Sequence, residues 1–161
     1  MFLFEKEGVF QALAHALKYD GFKSIGRLMG RELGNVFQKS GMKAECLVPV
    51  PLHRVKMRER GFNQADMIAR GISDVTGIPV RTDILRRSRY TQTQTKLDQE
   101  QRKKNVEDAF AIPESSHVPL GGTCILVDDV VTTGATIVAC GEALHKAGFE
   151  RVIAASLALA E

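Results

Sequence analysis

The segment from Cys124 to Thr136 constrains the fold more than any other region of the chain. It begins with the apolar run Cys-Ile-Leu-Val, continues through Asp128 and Asp129, and ends in Thr-Thr-Gly-Ala-Thr. The apolar run predicts a buried strand, and the glycine-containing turn predicts the start of a helix. Ligands of open α/β sheets bind at the carboxyl ends of the strands. The segment therefore predicts an α/β domain with a ligand site where this strand meets the helix.

The residue types in this segment suit a sugar phosphate. Backbone N–H groups of the turn and of the first helical turn can surround a phosphate. Gly134 permits the tight turn, and we expect no room for a side chain there. The two aspartates would repel a phosphate, but they suit ribose hydroxyls and can help to hold Mg²⁺. The alternative is that the acids cap a helix and the threonines form a plain turn. That alternative would explain either feature alone, but it does not require the acids and the threonine turn to occur together in this register.

Composition places the chain among water-soluble globular proteins of one domain. It has 161 residues, of which 44% are hydrophobic and 25% charged. No apolar stretch reaches the roughly 18 residues of a membrane-spanning helix, and the apolar start is too short for a signal peptide. We therefore expect a cytoplasmic protein. Cys46, Cys124 and Cys140 lie far apart in the sequence, which predicts buried reduced thiols rather than a zinc site.

Helical and strand patterns alternate along the rest of the chain. The predicted helices are 9–17, 23–38, 63–75 and 135–147, and the predicted strands are 46–50, 79–85, 105–112, 123–127 and 151–159. This alternation predicts a mostly parallel central sheet with helices on both faces. Glycines at every fourth position of the second helix, 26, 30 and 34, predict close helix packing. We expect a single domain over 1–161, with a helical N-terminal segment at 1–42 and an α/β core at 43–161.

Basic residues are concentrated in three stretches, although the net charge is only +3. The first covers 53–60, the second 81–89 and the third 96–104. They could bind an anionic ligand, or they could be ordinary solvated surface. Between Arg86 and Lys104 the chain lacks an apolar period, which predicts an exposed, mobile loop or a frayed helix.

The acid-and-threonine segment resembles the phosphoribosyl pyrophosphate motif of type I phosphoribosyltransferases. In that group the acids contact the ribose hydroxyls and the turn binds the 5′-phosphate. The resemblance assigns the catalytic role to Asp128 and Asp129. It assigns ribose and phosphate binding to Val130, Val131, Thr132, Thr133, Gly134, Ala135 and Thr136.

Further segments are similar to the ComF family over nearly the whole chain. They are Tyr19-Asp20-Gly21, the run Val-Pro-Val-Pro-Leu-His at 48–53 and the run Arg-Glu-Arg-Gly-Phe-Asn-Gln-Ala at 58–65. A spaced set follows at Thr91, Gln94, Leu97, Arg102, Asn105 and Phe110. The family is linked to uptake of single-stranded DNA in natural competence. Its members usually begin with a four-cysteine zinc module, so either that module precedes this sequence in a longer protein or this member lacks it.

The resemblance also implies two loops around the ligand. The pyrophosphate loop would be Pro49, Val50, Pro51, Leu52, His53 and Arg54. Each proline removes an N–H donor, so Pro-Val-Pro could instead serve only to end the strand. The hood, at about 88–105, would close over the site with Thr91, Gln94, Lys96, Arg102, Lys103 and Asn105.

Two functions remain open at the level of sequence, beside a purely structural role with an inactive site. The chain could be a phosphoribosyltransferase that uses Mg²⁺ and a nitrogen acceptor, through an oxocarbenium-like transition state. No element for recognising a base is evident, so the sequence names no acceptor. Alternatively, it could bind a nucleotide or single-stranded DNA without catalysis, together with a competence ATPase, with Lys56, Arg58 and Arg60 on the DNA backbone. The low aromatic content, 6%, provides few stacking platforms for that role.

Overall fold

The computed structural model describes residues 3–4, 23–87, 109–118 and 121–160. The strands are β1 (Leu3–Phe4), β2 (Cys46–Pro49), β3 (Arg86–Arg87), β4 (Phe110–Ala111), β5 (Thr123–Val131) and β6 (Arg151–Ala160). The helices are α1 (Lys23–Ser40), α2 (Arg54–Arg60), α3 (Gln64–Thr76) and α4 (Ala135–Lys146). Within these ranges, no helix combines the length and the apolar character needed to cross a bilayer.

The main sheet has the strand order β1-β6-β5-β2, and every pair in it is parallel. Strand β2 pairs with β5 from Cys46↔Cys124 to Pro49↔Val127. Because parallel strands end on the same side, the carboxyl ends of β2 and β5 share one edge of the sheet. Strands β3 and β4 form a separate antiparallel pair at the two ends of segment 88–108.

Helices cover both faces of the sheet, as the alternating pattern predicts. One face packs on α1 and α3 through Phe37, Leu47, Ile68, Ala69, Ile72, Ile125 and Val127. The other face packs on α4 and the β3–β4 pair through Cys46, Val48, Phe110, Cys124, Leu126, Cys140, Leu144 and Phe149. Neighbouring residues of one strand thus contribute to opposite core clusters, which is the period-two pattern of a sheet buried on both sides.

Helices α1 and α3 pack with their backbones in close contact. A Cβ atom on Gly30 would overlap the carbonyl oxygen of Ile68 and lie 3.0 Å from the Cα of Gly71. Arg27 and Arg31 of α1 both bind Asp74 of α3, at 2.7 Å and 3.0 Å. The hydrogen bond from Arg27 lowers the pKa of Asp74. The glycine spacing in α1 therefore does mark close helix packing.

Three expectations about local structure are wrong. The predicted strand 79–85 is reduced to a bridge between Val80 and Leu47, because the chain turns where Arg81 donates two hydrogen bonds of 2.8 Å to Asp83. No helix is predicted in the basic stretch after His53, but this stretch forms helix α2, which ends at Gly61 in the left-handed conformation. The N-terminal segment, residues 1–42, is not purely helical, because Leu3–Phe4 is a strand.

Other expectations concern residues outside the described ranges. The predicted helix 9–17 and the hood, at about 88–105, lie wholly outside those ranges. Of the predicted strand 105–112, the structure describes only the portion from residue 109 onward, with β4 at Phe110–Ala111.

The three cysteines are free and buried, as the sequence predicts. Burial raises the pKa of Cys46 to about 11 and that of Cys124 to about 12. It also raises the pKa of Cys140. Because the thiolate is the reactive form, these thiols belong to the core and are not candidates for catalysis.

Candidate functional site

The two aspartates lie within β5 rather than after its end. Strand β5 runs on to Val131 because β6 continues to pair with it, from Asp128↔Ser156 to Val131↔Leu159. The expectation that the strand ends at Val127 is therefore wrong. Strand β2 does stop there, at Pro49↔Val127. The acids are half-buried on the stretch of β5 that extends past β2.

Backbone hydrogen bonds orient both carboxylates. The Oδ1 atom of Asp128 accepts from the N–H of Asp129 at 2.9 Å, and the Oδ1 atom of Asp129 accepts from the N–H of Val130 at 2.9 Å. Each bond uses one of the roughly four acceptor positions of a carboxylate. The pair thus forms a preorganised acceptor group, which suits hydroxyl donors such as those of a ribose.

The turn after β5 leads into a helix that lacks a side-chain cap. Gly134 is the N-cap of α4, and no side-chain cap hydrogen bond to it is present in the described structure. The hydroxyl of Thr133 accepts from the N–H of Ala135 only at the long distance of 3.5 Å. In α3, by contrast, the side chain of Asn63 caps the helix with a bond of 3.1 Å to Ala65. The first N–H groups of α4 are thus placed to meet an anion, next to exposed hydroxyls.

Gly134 is required for its backbone conformation and not for lack of space. Its φ is 76°, in the left-handed region. A Cβ atom at this position would meet nothing within 4 Å. The expectation that a side chain has no room at Gly134 is therefore wrong for the protein without a bound ligand.

The loop after β2 starts beside the acid pair. The N–H of Val50 donates to the carbonyl of Val127, the residue before Asp128, at 2.8 Å. Since Pro49 and Pro51 lack N–H groups, an anion at this loop could be bound only by backbone amides from residues 52 to 54 and by the Arg54 side chain. At the start of α2, the Nδ1 atom of His53 accepts from the N–H of Val55 at 3.3 Å and caps the helix.

The basic residues after the loop belong to α2. Lys56 binds Glu59 at 2.7 Å, and Asp66 binds Arg70 at 3.0 Å. Within the described ranges, no acid forms a salt bridge with Arg58 or Arg60. The acids that could have held these two arginines, Glu59 and Asp66, thus pair with other residues.

The remaining predicted site residues are not placed by the structure. The hood residues Thr91, Gln94, Lys96, Arg102, Lys103 and Asn105 lie outside the described residues. In the portion of the chain that is described, no cluster of three or more His, Cys, Asp or Glu residues could hold a metal ion. Two carboxylates do suit Mg²⁺ when ligand oxygens complete the coordination.

Two further contacts were not predicted from the sequence. The Nδ2 atom of Asn63 donates to the carbonyl of Val50 at 2.9 Å. The guanidinium of Arg87 lies 5.4 Å from the ring centre of Phe110, across the β3–β4 pair. Asn63 belongs to the ComF-like segment 58–65. The resemblance therefore included this residue, but it did not predict the hydrogen bond to Val50.

Comparison with known proteins gives consistent matches. The family model for the phosphoribosyl transferase domain matches residues 58–160. Competence protein F of Haemophilus influenzae is 35% identical over 108 residues, which cover 67% of this chain and 47% of that protein. The DNA utilization protein YhgH of Salmonella typhimurium is 31% identical over 142 residues, which cover 84% of this chain and 61% of that protein. The matched region of this chain thus spans less than two thirds of these relatives.

A solved structure has the same fold. It is the glutamine phosphoribosylpyrophosphate amidotransferase from B. subtilis, complexed with ADP and GMP. The TM-score is 0.55 at 23% sequence identity, over 82% of this chain and 26% of that one. At this identity the likeness is one of fold alone.

Proposed function

Because this chain belongs to the phosphoribosyl transferase domain family, and within it to the ComF competence proteins, we propose that it binds phosphoribosyl pyrophosphate, or a related ribose 5-phosphate, together with Mg²⁺. The chain has the type I phosphoribosyltransferase fold, and ligands of open α/β sheets bind at the carboxyl edge of the sheet, which supports a site there. The observation that carries the proposal is the junction of β5 and α4. There, two oriented carboxylates are followed by a helix whose N-cap, Gly134, makes no side-chain cap hydrogen bond, and the N–H of Ala135 meets only the Thr133 hydroxyl, at the long distance of 3.5 Å.

The two halves of this junction suit the two halves of the ligand. Asp128 and Asp129 accept hydrogen bonds from the ribose hydroxyls, which are donors. The first N–H groups of α4 and the hydroxyls of Thr132 and Thr133 bind the 5′-phosphate. The loop after β2 begins beside Asp128 and receives the pyrophosphate, with Arg54 as its cationic side chain.

The same arrangement suits transfer of the phosphoribosyl group to a nitrogen acceptor. The bond between the anomeric carbon and pyrophosphate breaks, a carbon–nitrogen bond forms, and the acceptor nitrogen loses its proton. Asp128 and Asp129 hold the ribose while positive charge develops on the ring. Mg²⁺, when bound by these acids and by ligand oxygens, would neutralise the departing pyrophosphate.

Calorimetry with phosphoribosyl pyrophosphate and Mg²⁺ tests the proposal. Replacing Asp128 and Asp129 together with Asn should weaken binding at least about 100-fold, since hydrogen bonds to charged groups contribute about 1.5–3 kcal/mol each. Circular dichroism should show an intact fold, because the acids lie beyond the end of β2. The matched control is Glu142→Gln, an exposed acid of α4, which should bind as tightly as wild type.

Two results would contradict this proposal. Unchanged affinity in the double variant would remove the ribose role of the acids. Loss of folding would instead favour a purely structural role of the acid pair, in holding the backbone at the end of β5.

A second candidate function is binding of single-stranded DNA without catalysis. It is favoured by Arg58 and Arg60, which follow the pyrophosphate loop and form no salt bridge within the described ranges. The names of the relatives, a competence protein and DNA utilization proteins, are consistent with this alternative. In that case the chain would act in DNA uptake in the cytoplasm, next to a competence ATPase.

A further inference from the structure

We infer that Asn63 is a positioning residue that holds the root of the pyrophosphate loop against the acid-bearing strand. The inference rests on the proposed function, since it concerns the pyrophosphate region of the same site. It gives a role to the segment Gly-Phe-Asn-Gln at 61–64. Neither the acid-and-threonine motif nor the proposed ribose-phosphate site explains this segment.

The side chain of Asn63 joins the start of α3 to the loop after β2 by hydrogen bonds. Its Oδ1 atom accepts from the N–H of Ala65 at 3.1 Å and caps α3. Its Nδ2 atom donates to the carbonyl of Val50 at 2.9 Å, thirteen positions earlier in the chain. One half of the amide therefore starts the helix and the other half holds the loop.

Val50 passes this restraint on to the acid strand. Its N–H donates to the carbonyl of Val127 at 2.8 Å, and Val127 precedes Asp128 directly. A continuous series of hydrogen bonds thus runs from the start of α3 through Val50 to the residue before the acid pair. The flanking Pro49 and Pro51 cannot add a backbone donor, so the two backbone groups of Val50 are the polar anchors of this section of the loop.

The residues before Asn63 fix its position. Gly61 ends α2 with φ 73°, and its N–H donates to the carbonyl of Met57 at 2.8 Å. The ring of Phe62 is buried, with an exposure of 6%, and the ammonium of Lys23 lies 5.7 Å from its centre. The amide of Asn63 is therefore delivered to Val50 from a turn that is itself anchored in the core.

This restraint should matter for only one portion of the ligand. The loop from 50 to 54 faces the pyrophosphate, whereas the ribose 5-phosphate is bound by the junction of β5 and α4. A loop that is already ordered loses less conformational entropy when its ligand binds. Without the bond from Asn63, phosphoribosyl pyrophosphate should bind more weakly, while ribose 5-phosphate should bind as before.

The test compares the two ligands, each with Mg²⁺, on wild type and Asn63→Ser by calorimetry. Serine is a good N-cap residue and keeps the net charge, but it is too short to donate to Val50. We expect the affinity for phosphoribosyl pyrophosphate to fall about tenfold, equivalent to about 1.4 kcal/mol. The affinity for ribose 5-phosphate should stay within about twofold. Ile72→Val, in the buried core face of α3, controls for general destabilisation of that helix and should leave the ratio of the two affinities unchanged.

Each alternative result has a distinct meaning. An unchanged ratio in Asn63→Ser, or an equal loss for both ligands, overturns the inference while the proposed function stands. The same change of ratio in Ile72→Val overturns it as well, because the effect would then follow from stability alone. Wild-type protein that binds neither ligand contradicts the proposed function, and the positioning role with it.

Discussion

At the scale of single residues, Gly134 shows how backbone conformation selects an amino acid. It stands between the threonines and α4 with φ 76°, a region that costs residues with a Cβ atom roughly 1–2 kcal/mol. Nothing lies within 4 Å of where its Cβ would be, so space in the protein is not the restriction. The left-handed turn is what aims the first N–H groups of α4 at the candidate phosphate site.

Replacing Gly134 with Ala should lower the free energy of unfolding by roughly 1–2 kcal/mol and weaken binding of ribose 5-phosphate. Gly121→Ala is the matched control, since Gly121 also has φ 76° and open space around its Cβ position but lies at the other end of β5. Urea denaturation and calorimetry measure the two effects. Equal ligand affinity in both variants would show that the turn does not form the phosphate site.

At the scale of elements, the contact between α1 and α3 depends on glycines without a side chain. A Cβ atom on Gly71 would overlap the carbonyl oxygen of Arg27 and lie 2.8 Å from the Cα of Gly30. These neighbours are backbone atoms, so the helices themselves would have to move apart. The two arginines on Asp74 join the same helices at the surface, where ion pairs contribute little.

Gly71→Ala should therefore destabilise the protein by about 1–3 kcal/mol, the usual cost of overpacking. Gly141→Ala is its control, because Gly141 lies inside α4 with nothing within 4 Å of its Cβ position. Alanine there should stabilise the protein by up to about 1 kcal/mol through helix propensity. Thermal unfolding of both variants distinguishes packing from propensity, and a stabilised Gly71→Ala variant would contradict the packing argument.

At the scale of the whole molecule, the distribution of charge matters more than the net charge of +3. Arg58 and Arg60 lie on α2, which follows the carboxyl edge of the sheet. Lys39 and Lys146 lie at the last turns of α1 and α4. Helices α1 and α4 lead into the amino ends of β2 and β6, respectively. Lys39 and Lys146 therefore lie at the amino edge of the sheet, opposite the candidate site. The alternative function, DNA binding, predicts that only the first edge contacts a phosphate backbone.

If single-stranded DNA binds, its affinity should fall with salt, with a log–log slope of about −0.7 per phosphate contacted. Arg58→Ala with Arg60→Ala should flatten that slope by one to two contacts. Lys39→Ala with Lys146→Ala removes the same charge and should leave the slope unchanged. Fluorescence anisotropy across a salt series measures both. Absence of binding by wild type at about 50 mM salt would rule out DNA binding by this chain.

Much of the fold and the core of the site could be predicted from the sequence. The apolar runs at 46–50 and 123–127, bounded by turn residues, indicate strands buried in a sheet, and Asp128 to Thr136 combines acids, threonines and glycine in an order that local chemistry explains. The error at 79–85 arose because an apolar pattern cannot reveal that Arg81 and Asp83 bind each other and turn the chain. The missed helix α2 is short and polar, and its cap, the ring nitrogen of His53, is uncommon.

The sequence by itself determined the alternation of strands and helices in the core, the buried thiols and the residues of the acid-and-turn segment, because each depends on local pattern and residue chemistry. Only the tertiary structure decided how long β5 is, since its last residues are held by pairing with β6 rather than by their own propensity. It also decided which groups meet. The bond from Asn63 to Val50 spans thirteen positions in the chain, and such a contact depends on the packing of α3 beside β2, which no local pattern records.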